Sequence, residues 1–198
     1  MQKTIAKEQR TDSILSSLKK LTFLSRSQLQ ILHGLGGERN AQRVMKELEE
    51  YVHSFRDGEN IYYLSKEGRE RVGCRRIAKK TLQARHYVMR NSIYIAYDQP
   101  DSWKNEVRFG LQEDKKLQII CDALFKSDGR HHIVEVDHTQ KMSANRIKIE
   151  KYKALVTLGM FEKMPKFIWM TTTEYRRNQL AGLCEGLDVQ IFTASDFH

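Results

Sequence analysis

Residues 38–64 read ERNAQRVMKELEEYVHSFRDGENIYYL, and this stretch decides the fold of the N-terminal half. In its first part Ala41, Val44, Met45 and Leu48 recur at i, i+3, i+4 and i+7, the spacing of one buried stripe on a helix from about Glu38 to Tyr51. The face opposite opens with Arg39, Asn40, Gln42, Arg43 and Lys46. The second part is two short β-type runs around Asp57-Gly58, a dipeptide suited to the positive φ angles of a tight hairpin turn. Arg56 and Asn60 then fall at the hairpin tip.

Working outward, Ile14, Leu15, Leu18 and Leu21 have helical spacing behind Asp12 or Ser13 as N-cap. Ser25 caps a second helix, RSQLQILHG, which is closed by Gly34, Gly36 and Gly37. Ser65 caps a further basic helix, KEGRERVG. Helix, helix, third helix, hairpin and basic helix in that order resemble the winged helix-turn-helix over residues 12–73. The resemblance implies that the third helix enters the major groove of double-stranded DNA, with Arg39, Asn40, Gln42, Arg43 and Lys46 on bases and phosphates. Arg56 and Asn60 would straddle the backbone. Glu38, Glu47, Glu49 and Glu50 confine any groove contact to that helix's first two turns. Three-helix units also serve as protein-docking modules, and exposed cations are often merely solvated. The charge distribution favours DNA: residues 1–90 hold 19 Lys/Arg against 10 Asp/Glu, and residues 91–198 hold 15 of each.

Residues 74–96 contain no Gly or Pro and read as one long helix or two abutting ones, basic at first and then apolar. Arg75 and Arg76 either extend the phosphate-contacting surface or are a solvated face. The boundary is drawn at 80/81, giving domains 1–80 and 81–198. In the second domain LQIICDALF (117–125) and HIVEVD (132–137) read as strands about a Ser127-Asp128-Gly129 turn. A basic helix at about 143–158, the strand KFIWMTT, the helix TEYRRNQLAGLCEG and the strand VQIFTA follow. The expected class is α+β, ending in an α/β sandwich. Glu135 and Asp137 share a strand face roughly 7 Å apart, and Asp122 joins them from the neighbouring strand. Three converging carboxylates need a divalent cation, a basic partner or raised pKa values.

This order resembles the restriction-endonuclease-like fold of the PD-(D/E)xK nucleases. The resemblance implies that Asp122, Glu135 and Asp137 hold the catalytic positions, with Mg²⁺ on Asp122 and Glu135, and Glu106 as an upstream acid. Asp137 stands where that motif has Lys, which inverts the charge beside a scissile phosphate. Lys141, Lys148 or Lys151 would have to reach in from the next loop or helix, and one that does so favours an enzyme. The winged helix, Glu135-Val136-Asp137 and a basic helix carrying Tyr152 together resemble the replication-relaxation family of plasmids, phages and other mobile elements of Gram-positive bacteria. That implies a role in replication, mobilisation or its control.

Three function classes follow. The first is a double-stranded-DNA-binding protein needing no cofactor for binding. Its degenerate nuclease-like domain serves dimerisation, DNA contact or docking of a replication or mobilisation protein. The second is a Mg²⁺-dependent nuclease or nickase targeted by the winged helix. The third is a transcriptional regulator of a mobile element. Cys74, Cys121 and Cys184 lack CxxC pairing, which argues against disulfides and zinc and fits a reducing cytoplasm. His131, His132 and His138 cluster around the acidic strand and read as ordinary strand-end residues in preference to a mixed His/carboxylate metal site. No apolar run spans a bilayer, no secretion signal is expected, and no Walker loop or relaxase His pair is present.

Overall fold

Leucine and isoleucine at helical spacing seal the first helix, α1 (Gln2–Leu21), onto the core through Ile14, Leu15, Leu18 and Leu21. The computed structural model describes residues 2–110 and 114–197. It is mixed α+β, with helices and two sheets. The chain divides into two compact units, Met1–Asn91 and Ser92–His198.

In the first unit α1 is followed by β1 (Leu24–Ser25), α2 (Arg26–His33), α3 (Glu38–Glu47), β2 (Val52–Asp57), β3 (Glu59–Leu64) and α4 (Lys66–Arg71). Strands β1, β3 and β2 form an antiparallel sheet in that order. Ser25 and Gln28 make a reciprocal capping box at the start of α2, each bond 3.2 Å. Ala41, Val44 and Met45 of α3 are buried, as the periodicity requires.

Helix boundaries differ from the sequence expectation in three places, the first being the end of α3 at Glu47 rather than near Tyr51, with a turn following. α1 begins at Gln2, well before Asp12. Its early turns are mostly exposed and gain ionic support, Lys7 and Arg10 pairing with Glu47, and Arg71 with Glu8 and Asp12. The expected connector helix from Cys74 starts only at Ala84, as α5 (Ala84–Ala96). Gly73 has φ +61° just beyond α4, and Arg75, Arg76, Lys79 and Lys80 would repel one another at helical spacing. Arg76 instead donates to Thr22 Oγ1 at 3.2 Å, and Lys80 lies over the Phe55 ring.

The second unit carries β4 (Lys104–Phe109), β5 (Ile119–Ser127), β6 (Arg130–Asp137), α6 (Met142–Thr157), β7 (Lys166–Thr171), α7 (Glu174–Leu183) and β8 (Val189–Thr193). The sheet order is β4-β5-β6-β7-β8, antiparallel through β6 and parallel from β6 to β8. Asp128 and Gly129, with φ +52° and +69°, make the turn between β5 and β6. Ile149, Tyr152 and Leu155 of α6 and Leu180 of α7 pack with Ile133, Phe167 and Trp169 of the sheet. The three cysteines are free, Cys121 and Cys184 buried and Cys74 half-buried.

Strand β4 was not expected, and Glu106 shows why. Asn105 accepts a bond from Trp103 Nε1 (2.8 Å), on the side where Trp103 stacks on Phe125. Val107, two residues on, instead packs in the core beneath α6 with Cys121. The change of face falls at Glu106, whose φ of +53° turns the chain without shifting the β4–β5 register and erases the alternation by which a strand is read.

Gly68 tests the packing of α4. A Cβ there would stand 2.0 Å from the Tyr51 carbonyl oxygen, although Gly68 itself is helical. Gly68→Ala should therefore destabilise the chain by about 2 kcal/mol or more in urea denaturation. An unhindered helix position would gain about 1 kcal/mol from the same change.

Candidate functional site

Two constellations carry chemistry, one in each unit. In the first unit Arg39, Asn40, Gln42, Arg43 and Lys46 are all exposed on α3, opposite its buried stripe. Asn40 Nδ2 donates to the Leu35 carbonyl at 2.7 Å, and Asn40 Oδ1 accepts from Arg43 Nη2 at 2.7 Å. Arg43 Nη1 also donates to Glu47 Oε1 at 2.6 Å. Gln42 donates to Glu38, which pairs with Arg26 at 2.7 Å. The acids on α3 are thus partly neutralised: Glu38 by Arg26, and Glu47 by Lys7, Arg10 and Arg43. A shallow concavity at the start of α3 is lined by Gly37, Glu38, Arg39, Asn40 and Gln42.

At the hairpin, Arg56 is exposed and Asn60 half-buried, with Asn60 Nδ2 3.5 Å from Tyr62 Oη. The acids beside them are tied down. Arg85 forks onto Asp57 (2.7 and 2.8 Å), and Glu59 accepts from the backbone and hydroxyl of Ser27 (2.8 and 2.6 Å). Arg75 and Arg76 are exposed on the non-helical segment after α4.

In the second unit Glu135 and Asp137 lie on one face of β6, as strand alternation requires, and both are buried. Most of their partners come from the helices above, and one from β7. Glu135 accepts from the Lys148 ammonium on one oxygen and from the Tyr152 hydroxyl on the other. Asp137 takes a bidentate fork from Arg176 of α7 (2.6 and 2.7 Å), with Asn145 (2.8 Å) and Thr171 (2.8 Å) completing its shell. Asp122 is half-buried on β5, and its Oδ2 accepts the backbone N–H of Val136 at 2.7 Å. A side chain there does the work of a ladder carbonyl, holding Asp122 beside Glu135-Val136.

The electrostatics differ between the two buried acids. Burial pushes the Glu135 carboxyl up to about 8; Lys148 opposes this, and nearby Asp122 adds to it. Asp137 is also penalised by burial, but Arg176, Asn145 and Thr171 hold it below the usual carboxylate range. Lys148 is disfavoured as a cation by burial, yet Glu135 and Asp122 raise its pKa above the ordinary lysine value. Burial raises the Tyr152 hydroxyl well above the normal phenol range, with Glu135 adding to the effect.

Asp122 and Glu135 are therefore brought together, and of Lys141, Lys148 and Lys151 it is Lys148 that reaches Glu135. Asp137 is committed to Arg176. Each Glu135 oxygen already has a donor, and among the described residues no three His, Cys, Asp or Glu side chains are grouped to hold a metal ion. As arranged, the carboxylates do not fit one. His132 stacks on Phe125 at 4.7 Å, on the face away from Glu135. Arg176, Asn145 and Thr171 carried no sequence signal, being 39, 8 and 34 residues from Asp137.

The family model for replication-relaxation matches residues 15–170, and the chain belongs to that family. Membership points to a role in the replication or mobilisation of plasmids and other mobile elements. No curated protein is significantly similar. Among solved structures, protein VC1899 from Vibrio cholerae aligns with a TM-score of 0.42 and 12% identity, over 94% of this chain and 47% of that one. The chain thus spans about half of that protein's length. Among the described residues no helix is long and apolar enough to cross a membrane.

Two measurements check the acidic strand. Arg176→Met leaves Asp137 buried and unpaired and should cost about 3 kcal/mol or more in urea, whereas exposed Arg39→Met should stay within about 0.5 kcal/mol. The Glu135 carboxyl binds its proton more tightly in the folded chain than in the unfolded one. Its contribution to stability therefore declines as pH rises from the ordinary Glu value towards about 8. Subtracting the pH–stability curve of Glu135→Gln from that of the wild type should expose this falling limb. A flat difference would refute the assignment.

Proposed function

We propose that the chain is a double-stranded-DNA-binding protein of a plasmid or phage, acting in replication, mobilisation or its regulation. In this reading the first unit is a winged helix-turn-helix and α3 is its recognition helix. The observation that carries it is the start of α3. Five exposed residues of the types that read base edges and grip phosphates stand on a helix anchored by Ala41, Val44 and Met45. The charge surplus of residues 1–90 supports the same side of the chain. Arg39, Arg43 and Lys46 supply cations to the groove. Arg75 and Arg76 extend the cationic surface along the segment after α4, and Arg56 and Asn60 approach backbone from the hairpin. Family membership supports the setting on mobile elements.

The second unit, in the same reading, is a nuclease-like sandwich without catalytic use. It serves homodimerisation, DNA contact or docking of a replication or mobilisation protein in the cytoplasm. The buried pairs Glu135–Lys148 and Asp137–Arg176 support this, because they spend the acids on fold rather than on a ligand. Binding then needs no cofactor.

One observation favours the second reading, a Mg²⁺-dependent nuclease or nickase. Lys148 lies beside Glu135 and Asp122, supplying the charge that Asp137 lacks.

Fluorescence anisotropy with duplex DNA tests the first reading. Affinity should fall steeply with salt, by about 0.9 in log–log slope for each phosphate contact. Arg39→Ala with Lys46→Ala should weaken binding about tenfold or more and flatten that slope. Binding unchanged by those substitutions would refute α3 as the reader. Supercoiled plasmid incubated with Mg²⁺ decides the alternative: the first reading expects no nicking. Nicking lost in both Glu135→Gln and Lys148→Met would establish the second.

A further inference from the structure

The side chains of α3 are not equivalent in what they have left to offer. Asn40 is exposed and of the type that pairs bidentately with adenine, so the sequence ranks it with the base readers. Its amide is, however, already held from two sides. The amide nitrogen donates to the Leu35 carbonyl in the loop before α3, and the amide oxygen accepts from Arg43 one turn along. The amide keeps a second N–H and a second lone pair, yet the two bonds fix its plane between the Leu35 carbonyl and Arg43, and rotating it towards a base edge would break both. That would also free the Leu35 carbonyl, whose residue is buried.

Arg43 stands differently. Asn40 Oδ1 holds one terminal nitrogen at 2.7 Å and Glu47 Oε1 holds the other at 2.6 Å, from opposite directions along the helix. Glu47 is itself fixed by Lys7 at 3.2 Å. The guanidinium has five N–H groups, and these two bonds use two of them. Three remain, enough for a bidentate pair to guanine O6 and N7. A long side chain gripped at both ends gives up less rotamer freedom on binding than one free in solvent.

We infer that Arg43 is the specificity-determining residue of α3, a reader of a G·C base pair, and that Asn40 is a positioning residue that aims it. The inference rests on the DNA-binding reading above and adds which residue reads and which base class it takes. Arg39 and Lys46, with no ion pair among the described residues, are left to phosphates.

The test uses the full chain and a randomised duplex pool, selected in parallel with wild type, Arg43→Ala, Asn40→Ala, the double variant Asn40→Ala/Arg43→Ala, and Asn40→Asp. Wild type should enrich a motif with a G·C pair that is lost in Arg43→Ala. Asn40→Ala should relax the same pair and no other. The double variant should be no worse than Arg43→Ala alone, a non-additivity expected of residues acting through one contact. Asn40→Asp keeps the acceptor for Arg43 and should retain the preference, which a merely structural role for the amide would not predict. If Asn40→Ala instead relaxes a different base pair, Asn40 reads DNA itself and the inference is overturned. If wild type retains duplex without enriching any motif, base reading by Arg43 is overturned while DNA binding stands. If wild type retains no duplex at all, the binding reading fails and the inference with it.

Discussion

A charged or strongly polar group inside a protein must be matched there, and in this chain that constraint determines what sits on what. In the second unit two acids, Glu135 and Asp137, are buried on the same face of one strand. Left alone they would repel each other and lose their hydration. Lys148 and Tyr152 from α6 answer the first, and Asn145 of α6 with Arg176 of α7 answers the second. The two helices are thereby fixed over the sheet by polar groups as well as by Ile149, Leu155 and Leu180. The first unit follows the same rule. Buried Arg90 donates to the Leu21 carbonyl, and buried Asn91 to the carbonyls of Leu21 and Phe23, satisfying backbone that α1 leaves open at its end.

The same matching governs what remains available for function. An acid already paired within the fold is a poor ligand for anything else, and the acids of β6 are all engaged. On α3 the situation is reversed. Its acids Glu38 and Glu47 are drawn into ion pairs with Arg26, Lys7 and Arg10, leaving both ends of the helix less negative than its sequence suggests. The helix's fixed orientation comes from Val44 and Met45 beneath, so its outward residues are presented by a rigid element.

Much of this was legible in the sequence, and for identifiable reasons. The stripe on α3, the caps at Ser25 and Ser65, and the Asp128-Gly129 turn are local patterns, set by residues a few positions apart. Glu135 and Asp137 could be put on one face by alternation alone. The missing parts are not local. Strand β4 was hidden because Glu106 adopts positive φ and switches the strand's face midway. The partners of Asp137 lie as far as Arg176, and nothing near that arginine marks it. Lys148 was one of three lysines that could approach Glu135, separable only once α6 had a fixed rotation over β6. The helix expected from Cys74 failed because charge repulsion among Arg75, Arg76, Lys79 and Lys80 outweighs the lack of a breaker.

The central claim is that α3 is the surface this chain presents to duplex DNA. Amide hydrogen exchange of the full chain, with and without a saturating pool of duplex, measures that surface directly. The account predicts slowed exchange over residues 38–47 and the loop before them, with β6 and α6 unchanged. Slowing confined to β6 and α6, with α3 exchanging as in the free chain, would contradict it.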